Sequence, residues 1–361
     1  MAYEQKVDFH AHFLSKTYYE YLDKYEGPTP DSFPTPKWSI EGQLKLMKKL
    51  GIAFAVLSVS SPNMSRAERD DEIKYVHEIN KEGAEIVHSH PDKFGLFASL
   101  PLPHTDAAVE EAKFALDELD ACGFGLSTHY AGVYLGDSSY DPLMELLNER
   151  NAVIAVHPVK PAALPRGINE SIPIPALEFF DDTTRTFTNM VMHNIFGRYP
   201  NIKWIFPHAG AFLPILSDRM NSFSIQMRGN LPKDIPFDFK CDMRHVYFDD
   251  AGFCLQKQLG ALLKDVGAEN ILYGSDSPYT PELACFALSG GLEKIDCMTE
   301  KEKDMMFTGN AVRLFPQLKS ILGREDTGGT VCYGERKLTF GEKVTRFIRL
   351  TVAKIYSKIF K

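Results

Sequence analysis

Eight short apolar runs recur along the chain, separated by longer stretches whose apolar residues fall at helical spacing. The runs cover 7–12, 53–59, 94–100, 123–128, 152–157, 202–207, 245–250 and 271–276. Near-continuous Val, Ile, Leu and Phe content is what strands buried on both faces require. Between the first two runs, Ser39 predicts a helix cap, Leu44, Met47 and Leu50 its apolar stripe, and Gly51 its end. The same periodicity predicts helices over 68–88, 106–120, 142–150, 181–199, 212–228 and 255–266. Eight alternations of strand and helix predict an α/β fold, a (β/α)8 TIM barrel. No G-x-G-x-x-G follows the first run, which argues against an open doubly wound sheet. Two connections after predicted strands, 13–37 and 158–177, are long and proline-rich; on a barrel both fall at the C-terminal face, where such loops wall a substrate pocket.

The pattern changes near Gly323. Gly328 and Gly329 read as a linker, and residues 336–361 carry eight Lys/Arg and one acid, a net +7 that leaves −15 on the rest. Val344, Phe347, Ile348, Val352, Ile355 and Ile359 recur at helical spacing with basic residues opposite, so a basic amphipathic helix is expected there. It could dock on the acidic body or a sister subunit, touch an anionic membrane surface, or hang as a loose tail; the opposite charges favour docking. The expected organisation is therefore a barrel over 1–322 and a linker with a C-terminal amphipathic helical extension over 323–361.

Composition narrows the function classes. With 361 residues and 44 % apolar content, one large barrel is affordable, and a net charge of −8 argues against general nucleic-acid binding. No apolar run reaches membrane-spanning length, and the opening MAYEQKVDF lacks a signal-peptide pattern. The six cysteines are scattered with no C-x-x-C, as expected of reduced thiols in a cytoplasmic protein.

The chemistry lies at the strand ends. His10 and His12 in VDFHAH, His157 in VIAVHP and Asp276 in ILYGSDSP each close an apolar run, and a barrel brings those ends to one face. His10 and His12, two apart on a strand, point the same way, with Asp8 expected on that face one layer deeper. Three imidazoles and a carboxylate suit one divalent cation such as Zn2+, with a position left for water or substrate. His208, in IFPHAG, is expected beside the ion, positioning water and moving a proton. Asp249 and Asp250 are candidates to contact substrate or to orient His208, whereas His129 and His245 read as structural residues.

The motifs D-x-H-x-H, V-H-P, H-A-G-A-F-x-P and G-S-D-x-P resemble the amidohydrolase superfamily. Segments 37–62, 94–103 and 176–220 are similar to its aminocarboxymuconate-semialdehyde decarboxylase-like branch, which includes decarboxylases of salicylate-type acids, and the likeness spans about residues 5–320. It implies a barrel of the metal-dependent hydrolase type, with His10, His12, His157 and Asp276 binding one Zn2+ or Mn2+ and His208 steering the bound water. It also implies that Arg219 holds substrate carboxylate in a neighbouring subunit's site, that Tyr279 flanks the substrate ring, and that the protein is a homodimer or homotetramer. No lysine stands in GFGLSTHY to bridge a second metal, so the centre is expected to be mononuclear. Lys37 replaces the branch's arginine ahead of Trp38, which argues against a muconate substrate; Trp38 is either an aromatic wall or a core residue at a loop–helix junction. Phe13, Trp38, Phe212 and Tyr279 would suit a flat ring. The expectation is metal-dependent, non-oxidative decarboxylation of a small aromatic hydroxy acid, with Asp276 both ligand and proton carrier. The alternative is hydrolysis of a small ester, lactone or amide by the same groups.

Overall fold

The computed structural model describes residues 3–164, 167, 171–227 and 239–325, with Val344, Phe347, Ile348, Thr351, Val352 and Ile355 beyond them; the side chains of 224–227 fall outside the description. Eight strands run in chain order around one sheet: β1 (Lys6–His12), β2 (Ile52–Ser58), β3 (Phe94–Ala98), β4 (Gly123–Ser127), β5 (Val153–His157), β6 (Lys203–Phe206), β7 (Tyr247–Asp249) and β8 (Ile271–Leu272). Every neighbouring pair is parallel. The ring closes between first and last strands. The Phe9 N–H donates to the Tyr273 carbonyl at 2.9 Å, and the His12 N–H donates to the Ser277 carbonyl at 2.7 Å. This is the predicted (β/α)8 barrel.

The helices are α1 (Lys16–Tyr25), α2 (Ile40–Leu50), α3 (Arg69–Ser89), α4 (Thr105–Asp117), α5 (Asp141–Glu149), α6 (Glu178–Met192), α7 (Ile195–Arg198), α8 (Leu213–Met227), α9 (Phe239–Met243), α10 (Gln256–Asp265) and α11 (Glu282–Glu293). The α2 signals act as expected: the Ser39 hydroxyl accepts the Gly42 N–H, and Gly51 ends the helix at φ 69°. Two stretches differ from expectation. The single helix over 181–199 is two, broken at Asn194 (φ 53°), a left-handed conformation that asparagine tolerates. The connection 13–37 begins as α1, because Ser15 caps it and the prolines start only at Pro28.

One apolar cluster takes residues from seven of the strands: Val7 and Phe9, Phe54 and Val56, Phe97, Val153, Ile205, Tyr247 and Leu272. This is the barrel interior. On β4 the inward space goes to Phe97 instead, since a Cβ on Gly123 would lie 2.9 Å from the Phe97 ring. Val312, Leu314, Phe315, Leu318 and Leu322 join the same cluster, so the segment after α11 seals the end of the barrel remote from the strand C-termini. Outside, Trp204, Phe206, Phe248 and their neighbours pack the opposite strand faces against the helices.

Candidate metal centre

The first strand carries the local irregularity that builds the site. Pairing with β2 shifts register between Asp8 and Ala11, and a bulge of this kind re-aims side chains near functional sites. Val7 and Phe9 therefore face the interior, while His10 and His12 turn into the mouth above them. The expectation that Asp8 shares their face is corrected: its Oδ1 accepts the backbone N–H groups of His10 (3.1 Å) and Ser275 (3.0 Å), bracing β1 against the chain after β8.

His10, His12 and His157 come together at the strand C-termini, each able to offer one nitrogen within 4.8 Å of the others. Their ring centroids are 4.8–5.2 Å apart. Asp276 closes the group, its Oδ1 lying 3.6 Å from His10 Nε2 and 3.5 Å from His12 Nε2. The second nitrogen of each ring is already engaged: His10 Nδ1 with Asp249 Oδ2 (2.9 Å), His12 Nδ1 with Ser58 Oγ (3.1 Å), and His157 Nδ1 with the Pro158 carbonyl (2.7 Å). Outer partners of this kind aim the free nitrogen at a common point. His10 Nε2 and His12 Nε2 are buried and have no hydrogen-bond partner. Buried polar atoms are rarely left so without an ion or catalytic role, and three imidazoles with a carboxylate are the donor set of a divalent transition metal. The residues fit the group.

His208 stands beside these residues, its ring centroid 5.2 Å from that of His10 and 6.3 Å from that of His157. Its buried Nδ1 has no hydrogen-bond partner. The backbone that presents it is strained: His208, Ala209 and Ala211 all have positive φ (57°, 47° and 54°), as does Asp276 (58°). Conformations of this kind persist where the surroundings over-determine them, commonly at active sites. Asp249 links the parts, since its Oδ1 accepts the N–H groups of His208 and Ala251, both at 3.1 Å, while Oδ2 holds His10. Asp276 is pinned by its own N–H to the His10 carbonyl (2.7 Å) and by Thr280 Oγ1 on Oδ2 (2.8 Å).

Burial sets the protonation pattern. It lowers His12, takes His157 well below its ordinary value, and lowers His208 to about 4, each helped by neighbouring imidazoles. All three are neutral at pH 7, with lone pairs to offer. At His10, burial is outweighed by Asp249, with Asp276 and Asp8 behind it, and the imidazole rises to about 9. Burial would raise Asp276, yet its contact with His12 and the charge of His10 hold it below the usual carboxylate range.

Among the remaining predicted residues, Tyr279 meets the centre directly, its ring edge-on to His12 at 5.6 Å. Phe212 reaches it indirectly, packing at 5.6 Å on Phe180, which stacks on His208 at 5.5 Å and 14°. Arg219 is exposed on α8, its guanidinium 4.9 Å from the Phe223 ring. Trp38 stands apart: it packs edge-on to Phe13 and lines a surface depression with Glu82, Glu85 and Ile86 of α3. Phe13 is itself buried against α3, below Gly83, and not in the mouth. His129 is held through Nε2 by the Lys160 carbonyl and through Nδ1 by the Gly132 N–H. Sequence reasoning missed Phe179, edge-on to His157 at 5.9 Å, and Phe180; an aromatic pair directly after the proline-rich connection was the available signal. It also missed Ser58 and Ser60, the latter with Oγ 3.3 Å from His157 Nε2. Hydroxyls closing a buried apolar strand could have revealed them. Both long connections contribute, through Pro30 and Asp31 and through Val159 and Lys160, to one cavity of about 520 Å3 that also takes in His129. Ser61 ties the wall of this cavity to Tyr279: its hydroxyl donates to Asp31 and its carbonyl accepts the Tyr279 hydroxyl.

Comparison with known proteins follows the same outline. The amidohydrolase family model matches residues 7–317. The chain is 32 % identical to decarboxylase yanB of Aspergillus niger over 87 % of its own length and 88 % of that protein. It is 31 % identical to the 6-methylsalicylic acid decarboxylase acuB of Aspergillus aculeatus, over 87 % of this chain and 97 % of that one. Among solved structures, an amidohydrolase II is 38 % identical with a TM-score of 0.82, covering 86 % of this chain and 99 % of that chain.

Proposed function

Because the chain belongs to the amidohydrolase family, we propose that it is a metal-dependent decarboxylase of a small aromatic hydroxy acid of the 6-methylsalicylate type. The observation that carries this reading is the convergence of His10, His12, His157 and Asp276 on one buried point with His208 alongside. The decarboxylases among its relatives support the reaction class. His10, His12, His157 and Asp276 would hold one divalent ion, Zn2+ or Mn2+, which when bound supplies Lewis-acid stabilisation to the substrate carboxylate and adjacent oxygen.

The protein groups supply the rest. Tyr279 and the Phe179–Phe180–Phe212 set offer flat apolar surfaces for the ring. In the reaction the bond between ring and carboxylate carbon breaks, CO2 leaves, and the electron pair stays on the ring carbon, which must gain a proton. Asp276, held by Thr280 and facing two imidazoles, carries that proton in this reading. His208, neutral and with Nδ1 uncommitted, orients water and exchanges the proton with it. Phe180 lies flat against the His208 ring and so favours one orientation of it.

A homodimer or homotetramer, with Arg219 reaching substrate carboxylate across the interface, belongs to the same proposal. Ile215 and Phe223, at one-turn intervals either side of Arg219, are 71 % and 39 % exposed, an apolar face with a guanidinium at its centre. A body over 1–322 and an extension over 323–361 are supported by the Gly323 cap (φ 61°) that ends the Leu318–Leu322 helix. A cytoplasmic location is supported by the free thiols of Cys122, Cys254, Cys285 and Cys297.

The test loads metal-free protein with Zn2+ or Mn2+ and offers a panel of salicylate-type acids. The expected result is one CO2 released per acid consumed, only with metal present. No CO2 from any acid, together with hydrolysis of an ester or lactone panel, would replace the reading with the hydrolytic one.

A further inference from the structure

The segment beyond Gly323 lies outside the family match at 7–317 and has no part in the chemistry above. Its described residues Val344, Phe347, Ile348, Thr351, Val352 and Ile355 are helical. Their spacing, i, i+3, i+4, i+7, i+8 and i+11, places them on one side of a helix. That side is uncovered: Val344 is 41 % exposed, Phe347 70 %, Ile348 55 %, Val352 42 % and Ile355 52 %. Docking on the barrel or on a sister subunit, which the opposite charges favour in the sequence, would bury this row; in the single chain it is exposed. The sequence between and around them carries Lys343, Arg346, Arg349, Lys354, Lys358 and Lys361 with Glu342 as the single acid of residues 336–361.

We infer that this helix is a seat for an anionic lipid surface: it lies in the plane of the interface, with Phe347, Ile348 and their row among the acyl chains and the basic residues on the headgroups. Two features select lipid over a protein groove. The apolar row is interleaved in sequence with cations and almost no acids, the composition of a helix that lies on anionic headgroups. The rest of the chain carries −15, so the extension alone supplies attraction to an anionic bilayer and confines contact to that end. No described helix is long and apolar enough to cross a membrane, so the mode is lying on the surface.

The experiment is co-flotation of the full-length protein with vesicles of phosphatidylcholine alone or of phosphatidylcholine with phosphatidylserine. Protein is expected to float with the anionic vesicles only and to be released by high salt. Each basic residue near such a surface is worth about fivefold in partitioning, so Arg346→Glu with Arg349→Glu should weaken binding at least about 25-fold. Phe347→Ser with Ile348→Ser should also release the protein while leaving its metal content and unfolding temperature unchanged. Equal flotation with neutral vesicles, or none with anionic ones, overturns the inference. So does a Phe347→Ser/Ile348→Ser variant that still floats but changes oligomeric state, which would assign the row to a second copy of the chain.

Discussion

Replacing Asp249 with asparagine tests how the centre is aimed. The carboxylate is buried, with 3 % exposure, and every short contact it makes is with a donor: His10 Nδ1 at 2.9 Å and the N–H groups of His208 and Ala251 at 3.1 Å. Asparagine has nearly the same shape but only one acceptor oxygen. If that oxygen faces the two backbone N–H groups, the amide NH2 confronts His10 Nδ1–H. Relief then requires His10 to move its proton to Nε2, and Nε2 is the atom it would offer to a metal. If the amide turns the other way, its NH2 meets two backbone donors, and the left-handed conformation of His208 loses its anchor. Losing an outer partner of a metal-ligating histidine costs 10–100-fold in affinity, or about 1.4–2.7 kcal/mol. The assay is competition between metal-free protein and a chelating dye for Zn2+, with unfolding temperature followed in parallel. A variant whose metal affinity equals that of the parent would refute the argument that Asp249 fixes the His10 tautomer.

His208→Ala should keep one metal per chain and lose about 10^2–10^4 in turnover, the ordinary contribution of a positioned proton-transfer group; a metal-free variant, read by elemental analysis, would make His208 a ligand instead. Glu72, on α3, is 1 % exposed and is raised by burial from 4.5 to about 8, with His104 Nε2 3.3 Å away. The folded chain therefore retains this proton between pH 4.5 and 8, where the unfolded chain has released it, so this group makes stability fall as pH rises through that window. Glu72→Gln should accordingly raise the unfolding temperature at pH 8 more than at pH 5, and equal shifts at both pH values would count against a buried neutral Glu72.

The eight strands were legible because burial on both faces leaves no polar alternation, and the cluster of His10, His12, His157 and Asp276 was legible because His and Asp close such runs. What was not legible depends on partners distant in the chain. The alternation rule put Asp8 in the mouth, but register with β2 inserts a bulge that the residues 8–11 do not announce. The link from Asp249 to His10 joins β7 to β1, and the Phe180–His208 stack joins α6 to the turn after β6. Neither has a local periodicity to betray it. Trp38 could be read either way from its sequence position; its packing on Phe13 and α3 follows from α1 and the chain after it folding back over the barrel wall.

The seam between β1 and β8 has a consequence for how the protein comes to exist. His10 and Asp276 meet across it, and the Asp276 N–H donates to the His10 carbonyl. On the ribosome, His10 and His12 emerge while their carboxylate partner is still untranslated, and the stopper formed by Val312 to Leu322 comes later still. Ion capture by the complete donor set would thus require a chain translated through β8 and Asp276. A chain lacking its last strand would keep the three imidazoles but not Asp276 or the closing seam, so loading of the full donor set would report that the ring has shut.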